Sequence, residues 1–134
     1  MRLGVIGGTG LVEIDVAHRL GDAAGKLVRQ DDIHVDTAYG SVPIRACTLL
    51  INGQERELIF LQRHHNASGH GRPPHKIDHK ANMAALNDAN VDAIVSVCSV
   101  GAIAASFPPG KVALAHQYID FTGVSTTFHD EESV

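Results

Sequence analysis

The alternation of apolar and polar positions along the chain predicts an α/β fold. Residues 42–62, "VPIRACTLLINGQERELIFLQ", give the clearest pattern, because two alternating apolar runs flank an Asn-Gly pair that suits a type I′ turn. This segment is predicted to form a β-hairpin. Residues 3–6 read as a short buried strand that ends at two glycines, and residues 11–20 are expected to form one or two helical turns.

The second half of the chain continues to alternate between helical and strand patterns. Residues 74–90 have a helical period with a proline in the first turn. The run "DAIVSVCSVGAI" at 92–103 is typical of a central strand covered on both faces, and "KVALAHQYIDF" at 111–121 reads as a further strand after a "PPG" break. The polar stretch up to about Gly40 is ambiguous. The whole predicts a mixed, largely parallel twisted sheet flanked by helices.

Composition and charge exclude several classes of function. The 134 residues suffice for one domain, and the 11 basic and 15 acidic side chains give a net charge of -4. No basic cluster is interleaved with aromatic residues, so nucleic acid is not expected as a partner. No apolar run approaches the roughly 20 residues that span a bilayer, and no signal-peptide pattern follows Met1. Because Cys47 and Cys98 form no metal or redox motif, we expect a cytoplasmic protein with reduced thiols.

The glycine-rich stretch "GVIGGTGL" at 4–11 is the first candidate for chemistry. Glycines after a strand let backbone N–H groups approach an anion closely. A dinucleotide-binding G-x-G-x-x-G that begins at Gly8 would need a third glycine where the chain has Glu13, and a carboxylate there suits a pyrophosphate badly. A phosphate-holding loop and a tight turn without a ligand both remain open.

Two further strand ends carry groups that suit an anion. Arg63 and His64 directly follow "LIFLQ", where a guanidinium supplies a planar donor fork and an imidazole one more donor. The small residues of "VCSVGAI", which include Ser99, leave room for a ligand beside the backbone. A surface arginine and close helix–sheet packing would explain each feature alone. Together they favour one anion site, because ligands gather at the carboxyl ends of strands in open α/β sheets.

Histidines are concentrated between residues 64 and 79, but no metal is predicted there. His75 and His79 stand four apart on the predicted helix, as in the zinc motif H-E-x-x-H, yet Lys76 occupies the position of the glutamate base and no third ligand is evident. The histidines are expected to form a solvated or inter-subunit face. Asp120 is expected to cap a turn, with a functional carboxylate as the alternative.

Five stretches together resemble a known family. In order and spacing, the chain is similar to the N-terminal half of the methylthioadenosine phosphorylase and trimeric purine nucleoside phosphorylase family, which includes the methylthioinosine phosphorylases. The stretches are "GVIGGTGL", "LQRHH", "PPHKIDHKANMAAL", "VCSVGAI" and "PGKVALAHQYIDFTG". The resemblance implies that residues 1–134 are the N-terminal part of a single nucleoside phosphorylase domain. It implies an enzyme, a pentosyltransferase, that uses purine nucleoside and inorganic phosphate, needs no other cofactor or metal, and forms a homotrimer.

The resemblance also carries over phosphate-binding residues one by one. Thr9 would offer its hydroxyl and backbone N–H, and Arg63 and His64 match the family's Arg-His pair. Cys98 and Ser99 fall where the family has a small or polar pair, with Cys98 in place of the usual Thr or Asn. The base-recognising acid of the family lies beyond this chain, so no catalytic residue is assigned.

The departures from the family pattern leave some properties open. The pair at 78–79 is Asp-His where the family usually carries Asn-Tyr, and the loop between Arg63 and Pro74 is longer and rich in His and Gly. The preference for the 5′ group therefore stays open, and the preference for the purine base stays open because the base-reading residues of the family lie beyond this chain. The alternatives are a non-catalytic dinucleotide- or phosphate-binding module, against which Glu13 argues, and an interaction domain that lost its activity.

Overall fold

The computed structural model describes residues 1–8, 11, 25–65, 71–124 and 127–129. The chain divides into two units, residues 1–99 and residues 100–134. The first unit holds a five-stranded sheet and a helix α1, and a single 3-10 turn at Pro74–Lys76 precedes that helix. The elements are β1 (Arg2–Gly7), β2 (Lys26–Thr37), β3 (Gly40–Ile51), β4 (Gln54–Gln62), α1 (His79–Asp88) and β5 (Ala93–Val97).

The sheet is mixed, which confirms the predicted α/β class. Its order is β2-β3-β4-β1-β5, with antiparallel pairing from β2 to β4 and parallel pairing of β1 with both β4 and β5. The chain runs from β4 through α1 to β5, and β1 lies between the two strands. The carboxyl ends of β1, β4 and β5 therefore meet at one edge of the sheet.

The predicted hairpin is confirmed as β3 and β4. Ile51 pairs with Gln54 at its end, and the two residues between them have positive φ, 50° at Asn52 and 74° at Gly53. Two successive left-handed residues define the type I′ turn that the Asn-Gly pair predicts, because its twist matches that of the flanking strands.

The ambiguous polar stretch forms β2, a strand of 12 residues antiparallel to β3. Its connection to β3 is fixed by Thr37, whose hydroxyl donates to the Gly40 carbonyl at 2.8 Å and accepts from the Tyr39 N–H at 3.1 Å. β2 lies at the edge of the sheet, and most of its side chains are exposed. The sequence of this strand therefore shows no clear apolar face.

Helix α1 covers one face of the sheet but is shorter than predicted. It begins at His79, because Asp78 accepts the Ala81 N–H at 2.9 Å as an N-terminal cap, and residues 74–76 form only a 3-10 turn. His75 and His79 consequently do not share one helix. The core between helix and sheet consists of Val42, Ile44, Ile59, Leu61, Ala81, Ala85 and Leu86.

Two strand predictions are corrected by the structure. β5 spans only Ala93–Val97, lies at the edge of the sheet and is exposed along its length, so it is not a central strand covered on both faces. Residues 111–121 form no strand, although the sequence predicted one there. A strand needs a neighbour for its backbone hydrogen bonds, and no described residue of the chain pairs with this segment.

The described part of the second unit, residues 100–124 and 127–129, consists of turns and extended segments without helix or strand. The "PPG" break is a turn in which the Lys111 N–H donates to the Pro108 carbonyl at 3.3 Å and Gly110 has a φ of 84°. Asp120 caps a turn as predicted, since its carboxylate accepts the Thr122 N–H at 2.7 Å. That hydrogen bond lowers the pKa of Asp120.

The helix predicted within residues 11–20 falls almost wholly outside the described residues. Where the structure describes the chain, no helix is long and apolar enough to cross a membrane.

Candidate anion-binding site

The candidate site lies at the carboxyl edge shared by β1, β4 and β5. The Gly8 N–H donates to the Val97 carbonyl at 3.0 Å, which joins the end of β1 to the end of β5. The Arg63 N–H donates to the Gly7 carbonyl at 3.1 Å, which joins β1 to the residue after β4. The sequence singled out three strand ends for an anion. The ends of β4 and β5 lie on either side of the end of β1, which carries the glycine pair at 7–8.

The guanidinium of Arg63 lies directly beside Gly8. A Cβ atom at Gly8 would stand 3.2 Å from Arg63 Nη2 and 3.0 Å from the Val97 carbonyl oxygen. At Gly7, a Cβ atom would stand 2.8 Å from the Phe60 ring and would overlap the Leu11 carbonyl oxygen. Glycine thus suits both positions because of close neighbours: Gly8 lies beside an arginine head group, and Gly7 lies beside a core aromatic ring.

His64 is held at both ring nitrogens. Its Nε2 lies 3.3 Å from Nε of Arg63, and its Nδ1 lies 2.8 Å from the Arg72 carbonyl oxygen. Because an arginine Nε only donates and a carbonyl only accepts, these partners fit the neutral tautomer with the proton on Nδ1. The Arg72 N–H in turn donates to the His64 carbonyl at 2.6 Å.

Gln62, the last residue of β4, connects the two halves of the site. Its amide Nε2 donates to the Gly8 carbonyl at 3.4 Å, and its Oε1 accepts the His64 N–H at 2.8 Å. Sequence reasoning missed this residue. The available signal was a polar residue that ends an otherwise apolar strand directly before Arg63.

His65 connects the site to helix α1. Its Nε2 lies 2.8 Å from Oδ1 of Asn82, which is buried in the core. Since the amide oxygen only accepts, His65 donates from Nε2. Sequence reasoning missed this pair as well, because Asn82 stands among apolar helix residues and its partner follows the Arg-His motif.

Comparison with known proteins identifies the family of the chain. The model of the phosphorylase superfamily matches residues 2–133. The chain belongs to this superfamily.

Individual relatives in the superfamily are purine-related enzymes by name. The chain is 34% identical over 133 residues, 98% of its length, to a protein of Methanothermobacter thermautotrophicus named "Probable S-methyl-5'-thioinosine phosphorylase". It is 37% identical over 124 residues to a "Probable 6-oxopurine nucleoside phosphorylase" of Dictyoglomus turgidum. The chain spans 42% and 40% of these two curated relatives, about two fifths of their length.

A solved structure is also similar to the chain. It is a methylthioadenosine phosphorylase from an antarctic soil metagenomic library, with 27% sequence identity and a TM-score of 0.49. The match covers 70% of this chain and 28% of that one.

The structure brings some of the predicted phosphate-binding residues together. Arg63 and His64 are half-buried and contact each other. Cys98 and Ser99 are exposed and directly follow β5 at the same edge of the sheet. Thr9 lies outside the described residues.

The histidine-rich region is not a uniformly solvated face. His64 and His65 are half-buried and hydrogen-bonded as described above, whereas His75 and His79 are exposed. Among the described residues, no group of three or more His, Cys, Asp or Glu side chains is arranged to hold a metal ion.

A cavity of about 230 Å³ adjoins the site at Gln62. It lies along β2, β3 and β4, and its polar wall includes Asp32, His34 and Arg45. Arg45 donates from Nε to Asp32 at 2.7 Å, and this hydrogen bond lowers the pKa of the Asp32 carboxyl group.

Proposed function

We propose that this chain carries the phosphate-binding part of a purine nucleoside phosphorylase. The observation that carries the proposal is the Arg63 guanidinium held beside Gly8 at the shared carboxyl edge of β1, β4 and β5. A planar cation next to a glycine backbone suits a tetrahedral oxyanion. Membership of the phosphorylase superfamily supports inorganic phosphate as that anion.

In the proposed reaction, a phosphate oxygen attacks C1′ of the nucleoside. A bond forms between this oxygen and C1′, and the bond from C1′ to the purine nitrogen breaks. The electron pair of that bond leaves with the base, which takes up the proton that the phosphate loses, and the sugar becomes a ribose 1-phosphate. A fixed phosphate anion stabilises the positive charge that develops on the sugar, so positioning and electrostatics supply the catalysis. The reaction requires no metal and no organic cofactor.

Each residue of the site has a proposed role. Arg63 supplies positive charge and charge-assisted hydrogen bonds to phosphate oxygens. His64 keeps its Nδ1–H on the Arg72 carbonyl, and its Nε2 exchanges the contact with Arg63 Nε for a phosphate hydroxyl group when phosphate binds. Thr9 adds a hydroxyl and a backbone N–H, Ser99 adds a backbone N–H, and Cys98 is the small residue beside it.

The substrate class follows from the names of the relatives. Those relatives are S-methyl-5′-thioinosine and 6-oxopurine nucleoside phosphorylases by name, so we propose a purine nucleoside or its 5′-methylthio derivative as substrate. We further propose that residues 1–134 are part of one phosphorylase domain and that the protein is a cytoplasmic homotrimer, as the family resemblance implies.

The test is release of free base by the purified 134-residue chain. Methylthioadenosine, methylthioinosine, inosine and guanosine are each incubated with phosphate, with sulfate, and without either anion. Phosphate-dependent release with formation of the sugar 1-phosphate supports the full proposal and ranks the substrates. Equal release without phosphate contradicts phosphorolysis.

Calorimetric titration with inorganic phosphate separates binding from turnover. Phosphate binding without base release would restrict the proposal for this chain to the anion site. Absence of both would contradict the proposed function.

A further inference from the structure

We propose that Gln62 is a positioning residue that ties the glycine pair at 7–8 to the turn carrying Arg63 and His64, and so sets the affinity of the site for phosphate. The inference deepens the proposed function and rests on it. Gln62 itself is not a phosphate ligand in this proposal.

The amide of Gln62 uses both of its ends. The Nε2 group donates to the Gly8 carbonyl at 3.4 Å, and Oε1 accepts the His64 N–H at 2.8 Å. The backbone carbonyl of Gln62 also accepts the His65 N–H at 3.1 Å. The side chain and backbone of one residue therefore bind the two amides that follow Arg63.

These contacts fix the backbone on both sides of Arg63. Its own N–H is bound to the Gly7 carbonyl, and the next N–H along the chain is bound to the Gln62 side chain. The guanidinium lies against Gly8, whose carbonyl is bound by the same glutamine. The Gln62 side chain thus adds to the backbone hydrogen bond between Arg63 and Gly7 in holding the cation beside the glycine backbone, and small displacements of charge-bearing groups weaken anion binding.

Glutamine suits this position because it is one of the few side chains that both donates and accepts at this length. Glutamate retains the acceptor for the His64 N–H but has no donor for the Gly8 carbonyl when ionised. Methionine has similar length and offers neither. Substitution is not expected to unfold the chain, because Gln62 is half-buried and borders the cavity of about 230 Å³.

The experiment compares Gln62→Met and Gln62→Glu with the wild-type chain. Gln54→Met is the matched control, since Gln54 is exposed at the opposite end of the same strand. Three quantities are measured: the Kd for inorganic phosphate, the thermal unfolding midpoint, and hydrogen exchange of the His64 N–H by NMR. Exchange reports the hydrogen bond from His64 directly and does not require phosphate.

We expect Gln62→Met to raise the phosphate Kd about tenfold or more, the equivalent of one lost hydrogen bond. The His64 N–H should exchange faster, while the unfolding midpoint stays at the wild-type value. Gln62→Glu should keep the slow exchange of the His64 N–H and still bind phosphate at least tenfold more weakly. Gln54→Met should match the wild-type chain in all three measurements.

Several outcomes would overturn the inference. A wild-type chain that binds phosphate, with Gln62→Met binding equally well, refutes the role of Gln62 and leaves the proposed function standing. A parallel loss of affinity and unfolding midpoint would assign Gln62 a structural role instead. If Gln62→Met does not fold, Gln62→Glu decides, and wild-type affinity in that variant refutes the inference. A wild-type chain that binds no phosphate refutes the proposed function and this role with it.

Discussion

The Arg63 guanidinium lies beside Gly8 across two neighbouring strand ends, close to the position that a Cβ atom at residue 8 would take. A Cβ atom there would be 3.2 Å from Nη2 and 3.4 Å from Cζ of Arg63. Gly8 has no positive φ in the structure, so glycine suits this position because of its close neighbours, Arg63 and the Val97 carbonyl oxygen, and not because of backbone strain. The arginine position and the glycine motif are therefore two parts of one feature.

Gly8→Ala should displace the guanidinium and destabilise the chain less than Gly7→Ala, because its closest neighbours, the Val97 carbonyl oxygen at 3.0 Å and Arg63 Nη2 at 3.2 Å, are farther away than those of Gly7. The head group of an arginine is flexible and yields by a few tenths of an ångström, whereas phosphate affinity depends on its position. Gly7→Ala should instead lower the free energy of unfolding by about 1–3 kcal/mol, because its Cβ meets the Phe60 ring at 2.8 Å. Calorimetric titration with phosphate measures the first effect, and urea unfolding measures the second. Gly101→Ala is the control, since no atom of the described residues lies within 4 Å of its Cβ position.

Arg63→Ala should weaken phosphate binding by one to two orders of magnitude. Each charge-assisted hydrogen bond contributes roughly 1.5–3 kcal/mol, and each 1.4 kcal/mol is about a factor of ten in Kd. The measurement is a phosphate titration of both chains. Arg29→Ala removes the same charge from an exposed position on β2, where Arg29 pairs with Asp31, and should leave the Kd unchanged. An unaltered Kd in Arg63→Ala would refute the site assignment.

The parts of the fold that sequence predicted well are those whose pattern is local. The hairpin of β3 and β4 is encoded by alternation and by the Asn-Gly pair, and both act within a few residues of each other. β2 was not predicted, because it is an edge strand with polar side chains on both faces. The start of helix α1 was predicted too early. The helical period of the sequence extends back to residue 74, whereas the cap at Asp78 makes His79 the first residue of the helix.

The failed predictions depend on partners far along the chain. The apolar runs at 92–103 and 111–121 predict buried strands, but burial and pairing are supplied by other segments, and the described residues supply β5 with one neighbour and residues 111–121 with none. The site shows the same limit. Arg63 and His64 could be singled out from their place after a strand, whereas the contacts of Gln62 with Gly8 and of His65 with Asn82 join residues that no local pattern connects.

His65→Phe should destabilise the chain. It removes the donor to Oδ1 of Asn82 and leaves a buried amide oxygen without this partner, which costs about 1–3 kcal/mol of the free energy of unfolding. Urea unfolding followed by circular dichroism measures the loss. His75→Phe is the control, because His75 is exposed in the 3-10 turn. Equal stability of His65→Phe and the wild-type chain would show that the bond contributes nothing.

The two cysteines should differ sharply towards thiol reagents. Cys98 is exposed, whereas Cys47 is buried and its burial raises the pKa of the thiol, so fewer thiolates form at a given pH. At pH 8 a disulfide reagent should label one thiol rapidly and the second only after unfolding. Cys98→Ser should abolish the rapid phase. Saturating phosphate should slow that phase if Cys98 borders the bound anion, and equal rates with and without phosphate would place it outside the site.

Glu57→Gln should reduce stability at neutral pH and have no effect in acid. Arg2 donates to both carboxylate oxygens, at 2.9 Å and 3.0 Å, and these hydrogen bonds lower the pKa of Glu57 below its ordinary 4.5. A lowered pKa means that the stabilisation is complete above the pKa of the unfolded chain and is lost as the pH falls through the lower folded value. Because the two side chains are 34% and 47% exposed, solvent screens the pair, and we expect about 0.2–1 kcal/mol at pH 7. Urea unfolding of the wild-type chain and of Glu57→Gln at pH 7 and near pH 3 checks the sign, with Glu55→Gln on the same strand as control. A difference between wild type and Glu57→Gln that persisted undiminished in acid would show that packing, and not the charge of Glu57, carries the contact.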